Sequence, residues 1–119
     1  MGRLTDVDTL ARYQQALADW NFEGSIVLKD RARDGLRTTL EGVNEKCFKE
    51  LLFRFVCKEN GEVDQVREER EPWRESWEWH YDLRPTINGI KLYVETRLHP
   101  ESFSSRDDPV ILVVQVKPA

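Results

Sequence analysis

The 119-residue sequence holds only two cysteines, two histidines and one methionine. It has no apolar run near the ~18 residues of a membrane span. The opening segment MGRLTDVDTLARYQQ has no apolar stretch of the kind a secretion signal needs, and no Ser or Thr follows Gly2 where a myristoylation signal prefers one. A cytoplasmic protein with no membrane partner is therefore expected. Cys47 and Cys57 read as members of one helix. Ten residues of helix span about 15 Å, beyond disulfide reach. Two such distant thiols do not make a zinc site either, and they suit a reducing compartment. Excess positive charge is missing too, with 18 Lys and Arg against 22 Asp and Glu. Nucleic-acid binders neutralise phosphates and tend to be basic, so the balance weighs against that class, although a local basic patch is still allowed.

The chain is 39% hydrophobic and free of internal repeats and low-complexity segments. A single domain over residues 1–119 is expected, burying roughly two-thirds of its unfolded surface. Residues 1–60 read as mainly helical. A first helix runs from Thr5 or Asp6 to about Trp20, with Thr5 as cap and Leu10, Tyr13, Leu17 and Trp20 on one stripe. SIVL reads as a short strand. A second helix carries Ala32, Leu36 and Leu40, with Asp30 as its cap, Gly35 as an unfavourable interior residue and Gly42 as its stop. A third is capped by Asn44 and presents Phe48, Leu51, Leu52 and Phe55. Residues 61–119 change to period two. EVDQV is a weak strand, and REEREPWRES is a charged, solvated connection. Trp77, Trp79, Tyr81 and Leu83 point to one side and read as core. Leu92, Val94, Thr96 and Leu98 continue that side after the turn. HPESFSSRDDP is a polar loop, and VILVVQV, apolar on both faces, reads as a covered central strand. The fold class is α+β, with the N-terminal helices on one face of a small, mainly antiparallel sheet.

Asn88-Gly89 is a type I′ turn signal. Placing it at the centre of the turn pairs Leu83 with Val94 and Tyr81 with Thr96, so the apolar sides coincide. The opposite face then pairs Arg84 with Tyr93, Asp82 with Glu95, His80 with Arg97, and Glu78 with His99. Two carboxylates about 5 Å apart repel, and Arg84 and Arg97 lie diagonally where they can neutralise them. A shared proton or a bound cation would do the same. A solvated, salt-bridged face and a functional cleft both fit this pattern. His80, Asp82, Glu95 and His99 lack a recognised ligand spacing, so no metal and no cofactor are expected. Trp73, in the charged connection, is a better binding candidate than the strand aromatics.

The spacing Trp79-x4-Arg84-Pro85-x7-Tyr93, followed by an apolar strand closing on Lys117, resembles the sheet segment of the MqsR family. These are small bacterial toxins, mRNA interferases with a RelE-like fold. The resemblance implies a metal-independent endoribonuclease, RNA as substrate and a cognate antitoxin as partner. It places Tyr93 at the family's active-site tyrosine, His80 at its glutamine and Lys117 at its terminal-strand lysine, with Lys49 as a looser counterpart on the preceding helix. Cleavage of this class uses the RNA 2′-OH as nucleophile and needs a base, an acid and charge stabilisation. His80, Asp82, Glu95 and Tyr93 are the candidate catalytic groups. Arg84, Arg97 and Lys117 are the candidate substrate contacts. The alternative is a non-catalytic protein-interaction or regulatory module with the same fold, which the acidic balance favours.

Overall fold

The computed structural model describes residues 2–101 and 108–119. Each helix begins at a side chain suited to capping or at an extended residue. Asp6, not Thr5, caps α1 (Val7–Ala18), its carboxylate accepting from the Thr9 amide at 2.9 Å. Lys29 precedes α2 (Asp30–Thr39) without a side-chain cap, so Asp30 is the first helical residue rather than the cap. Asn44 caps α3 (Glu45–Phe53) through the Cys47 amide at 2.8 Å. α3 runs on into a π-helical turn, Arg54–Lys58. The three helices bury Tyr13 and Leu17, Ala32 and Leu36, and Phe48 and Leu52, one apolar stripe each.

The strands are β1 (Gly2–Arg3), β2 (Ile26–Leu28), β3 (Asp64–Arg67), β4 (Trp79–Leu83), β5 (Thr86–Ile87), β6 (Ile90–His99) and β7 (Val110–Pro118). They form one open sheet in the order β1-β3-β4-β6-β7-β2, with β5 pairing to β6. Among the described residues only the β2–β7 pair is parallel. The fold is α+β. Among the described residues no helix is long and apolar enough to cross a membrane. Residues 102–107 of the expected polar loop lie outside the described residues.

The hairpin register is the one the turn dictates. Tyr81 pairs with Thr96, Asp82 with Glu95, and Leu83 with Val94. Asn88 and Gly89 both have positive φ, as a type I′ turn requires. One face packs under the helices, where Tyr81, Leu83, Leu92, Val94, Leu98, Ile111, Val113 and Val116 are buried. Within it Thr96 donates to the Tyr81 carbonyl at 2.7 Å and meets the Tyr13 hydroxyl at 2.7 Å, so neither of these two buried hydroxyls is orphaned.

Two expectations need correction. β7 is not central. It lies next to the edge, between β6 and β2, and its outward residues Leu112 and Val114 are only half-buried. Trp77 is not a core residue under the helices. A 3-10 turn at Trp73–Glu75 swings the chain, strand pairing begins at Trp79, and Trp77 lies on the other face against Arg97 and His99. Period-two counting fails there because the strand has not yet begun.

Gly35 is explained by space rather than by backbone conformation. A Cβ at this position would be driven into the Val116 carbonyl oxygen of β7. Gly35→Ala should gain about 1 kcal/mol of helix propensity and still lose about 1–3 kcal/mol net. A urea midpoint that stays level or rises would show that α2 does not dock through this contact.

Candidate functional site

The sheet's second face, opposite the helices, carries charge. Alternation puts His80 and Asp82 of β4 there, with Glu95 and Arg97 of β6 beside them. These residues are nevertheless buried, at 7%, 3%, 3% and 2% exposure respectively. The cover comes from the connection between β3 and β4. β3 pairs Asp64 with Asp82 and Val66 with His80, and the Glu68 amide donates to the Glu78 carbonyl at 2.9 Å. Glu68 therefore falls on the same face and is buried at its centre. The charged run is not simply solvated.

Glu68 accepts from Arg97 Nη2 at 3.1 Å and from Arg70 Nη2 at 3.1 Å. Arg70 also forks onto Glu95, with Nη2 to Oε2 at 2.6 Å and Nη1 to Oε1 at 3.3 Å. His80 Nδ1 lies 2.8 Å from Asp82 Oδ1, and its Nε2 lies 3.7 Å from Glu68 Oε2. Tyr93 donates its hydroxyl to Glu95 Oε1 at 3.3 Å. Three carboxylates thus meet two guanidiniums and one imidazole, which balance in charge when the imidazole is protonated.

The Asp82–Glu95 opposition is real, but its neutralisation differs from expectation. Arg97 approaches Glu95 Oε2 only at 3.7 Å, and its closer partner is Glu68. Arg84 turns to Asp64, 3.7 Å away, and lays its guanidinium over the Tyr93 ring at 5.1 Å. Arg70 and His80 take the work instead. Lys117 faces Tyr93 across β6 and β7, with its ammonium 5.2 Å from the ring. Arg84, Tyr93 and Lys117 thus form a cationic patch around a half-buried phenol. Lys49 lies on α3, and Glu78 pairs with Arg67 at 2.8 Å.

Burial raises the Tyr93 phenol well above its ordinary range, and the nearby Asp82 and Glu95 carboxylates push it further. It can donate a hydrogen bond but is a poor base at neutral pH. Burial alone would raise the Glu68 carboxyl, but hydrogen bonds from Arg97 and Arg70 outweigh it and hold Glu68 below the usual carboxylate range. His80, Asp82 and Glu95 bring ligand atoms within 4.8 Å of one another, a donor set that suits a divalent cation. Such an ion would have to displace the Arg70 fork from Glu95 and break the His80–Asp82 contact.

Arg97 also faces a cavity of about 370 Å³. Its guanidinium carbon lies 5.2 Å from the Trp73 ring and 5.4 Å from the Trp77 ring. The floor is Leu112, Val114 and Gln115 of β7. Consecutive residues reach one floor because the β6–β7 register slips between Glu95–Gln115 and Thr96–Val113, leaving Val114 as an extra residue in β7. Glu68 and Arg70 are not among the residues the sequence singles out, and Trp77 is read there only as core. The signal that finds Glu68 is the β3–β4 register, which nothing local specifies.

A scan against protein-family models, a search of curated proteins and a search of solved structures each gave no match to this chain.

Glu68→Ala leaves Arg97 buried without its carboxylate and should cost about 3–5 kcal/mol. The pH dependence follows from the depressed Glu68 carboxyl. Its stabilising contribution is complete above the unfolded value of about 4.3 and fades as pH falls through the lower folded value. Denaturation between pH 7 and pH 3 should show this loss, and Glu68→Gln should flatten it. An unchanged acid slope in Glu68→Gln would place the acid sensitivity elsewhere.

Proposed function

We propose that this protein is a non-catalytic binding or regulatory module whose working surface is the open face of the sheet. One observation carries the reading. Most working atoms of the candidate acid–base groups meet a neighbour in a buried cluster. Both His80 nitrogens face carboxylates, and both Glu95 oxygens face Arg70. A general base must reach the proton it removes within hydrogen-bond distance, directly or through one water. Here that reach would require dismantling several buried ion pairs. Arg97, the expected phosphate clamp, is stacked under two indoles and paired to Glu68. The net charge of −4 agrees with a partner other than RNA. The half-buried Cys57 and exposed Cys47, both free thiols, suit a cytoplasmic setting.

A second reading has its own observation. Tyr93 is flanked by Arg84 and Lys117, and both cations sit over its ring. The same three residues belong to the pattern, with Trp79 and Pro85, that resembles the MqsR and RelE-like toxins. In a toxin-type, metal-independent endoribonuclease, this patch would hold the phosphate, Tyr93 would donate to it, and Asp82 or Glu95 would take the 2′-OH proton. An antitoxin would be its partner.

The two readings separate in one assay. Purified protein should leave a mixed-sequence RNA intact from mildly acidic to mildly alkaline pH, with and without magnesium. Its expression should not slow growth. Cleavage that Tyr93→Phe reduces about 100-fold or more without loss of fold, the size expected for a general acid, would establish the ribonuclease instead.

A further inference from the structure

We infer that the cavity between Trp73, Trp77 and the β7 bulge is a binding site for a small aromatic carboxylate, with Arg97 as the group that receives its acid. The inference rests on the binding-module reading and names the ligand class for its surface.

The donors come first. Arg97 is almost fully buried, yet its Nε and Nη1 have no hydrogen-bond partner among the described residues. Only Nη2 is engaged, by Glu68. A buried N–H without an acceptor costs about 1–3 kcal/mol, so a native structure that keeps such donors beside a cavity has a place for an acceptor. A guanidinium suits a carboxylate in particular, through its planar donors.

The cavity's shape and lining supply the rest. Its volume of about 370 Å³ is at the small end for ligand pockets, and two indoles with Leu112 and Val114 make it largely apolar. Flat aromatic walls favour a planar body by offset or edge contacts. Lys29 and Arg31, both exposed, also line it, and among the described residues no acidic one does. The field at the opening therefore attracts an anion although the chain as a whole is acidic. Glu68 engages only Nη2 of Arg97, which leaves Nε and Nη1 for an acceptor.

Access is through Trp73. It is 50% exposed and sits on a single 3-10 turn, whereas Trp77 is held between Arg97 and His99. Movement of Trp73 would remove one of the two indoles that lie over Arg97. The acid would then bond Nε or Nη1 while the ring of the ligand occupies the space over Val114.

The test is a titration of the intact protein followed by amide, indole and guanidinium NMR. The probes are benzoate, phenylacetate and 2-naphthoate, each against its amide, with acetate and inorganic phosphate as controls. At least one aromatic acid should shift the Trp73 and Trp77 indole signals and the Arg97 Nε–H together. Its amide should bind at least 10-fold more weakly, and acetate and phosphate should not move the indoles. Val114→Glu, which places a competing carboxylate on the floor beside Arg97, should abolish the shifts. Trp73→Ala should weaken binding several-fold and keep the fold. The proposal is overturned if no aromatic acid shifts these signals at 10 mM, if the amides bind equally well, or if Val114→Glu binds as wild type. RNA left intact together with any of those results removes only the ligand assignment. Tyr93-dependent RNA cleavage removes the binding-module reading itself, whatever the titration shows.

Discussion

The open face of this protein is organised by one contact, the buried pair between Glu68 and Arg97. Neither ion would be stable there alone, since desolvation costs several kcal/mol per charge. The pair is tolerable because each partner is held by more than the other. Glu68 also binds Arg70 and approaches His80, and Arg97 lies between two indole rings. The pair ties the connection after β3 to the C-terminal part of β6, next to where Trp73 and Trp77 stand. The cluster and the cavity share this wall, with Arg97 belonging to both.

The division between the two faces explains the functional reading. The helical face is an ordinary apolar core whose one polar relay, from Tyr13 through Thr96 to the Tyr81 carbonyl, is internally satisfied. On the other face, two nitrogens of Arg97 are the buried side-chain donors left without a partner among the described residues. Catalysis needs groups poised toward a substrate, and the carboxylates and imidazole here are turned toward each other. Recognition needs a cavity with few, well-placed polar groups, which the β7 bulge and the two tryptophans provide.

Much of the sheet was legible without coordinates. Asn88-Gly89 and the coincident apolar sides determined the register of β4 on β6, and with it the opposition of Asp82 and Glu95. Asn44 and the Phe48–Leu52 stripe located α3 for the same kind of reason, a local hydrogen bond and a local period. The neutralising partners of the acids were not legible. Arg84 and Arg97 were the nearest cations on the hairpin itself, but Glu68 and Arg70 arrive from the connection after β3, a strand whose register no turn signal specifies. Trp77 was misplaced because alternation cannot reveal where a strand starts.

By itself, then, the sequence determined the α+β class, the helix stripes, the hairpin register and which residues share each face of it. Those follow from turn chemistry and periodicity, which act over a few residues. Only the tertiary structure decided that the charged face is covered, which cation serves which carboxylate, and that Trp73, Trp77, Arg97 and β7 enclose a cavity. Those depend on the pairing of β3 with β4 and on the one-residue slip between β6 and β7. Contacts between segments far apart in the chain carry no local signature, and a single extra residue in β7 is enough to redirect the side chains that follow it.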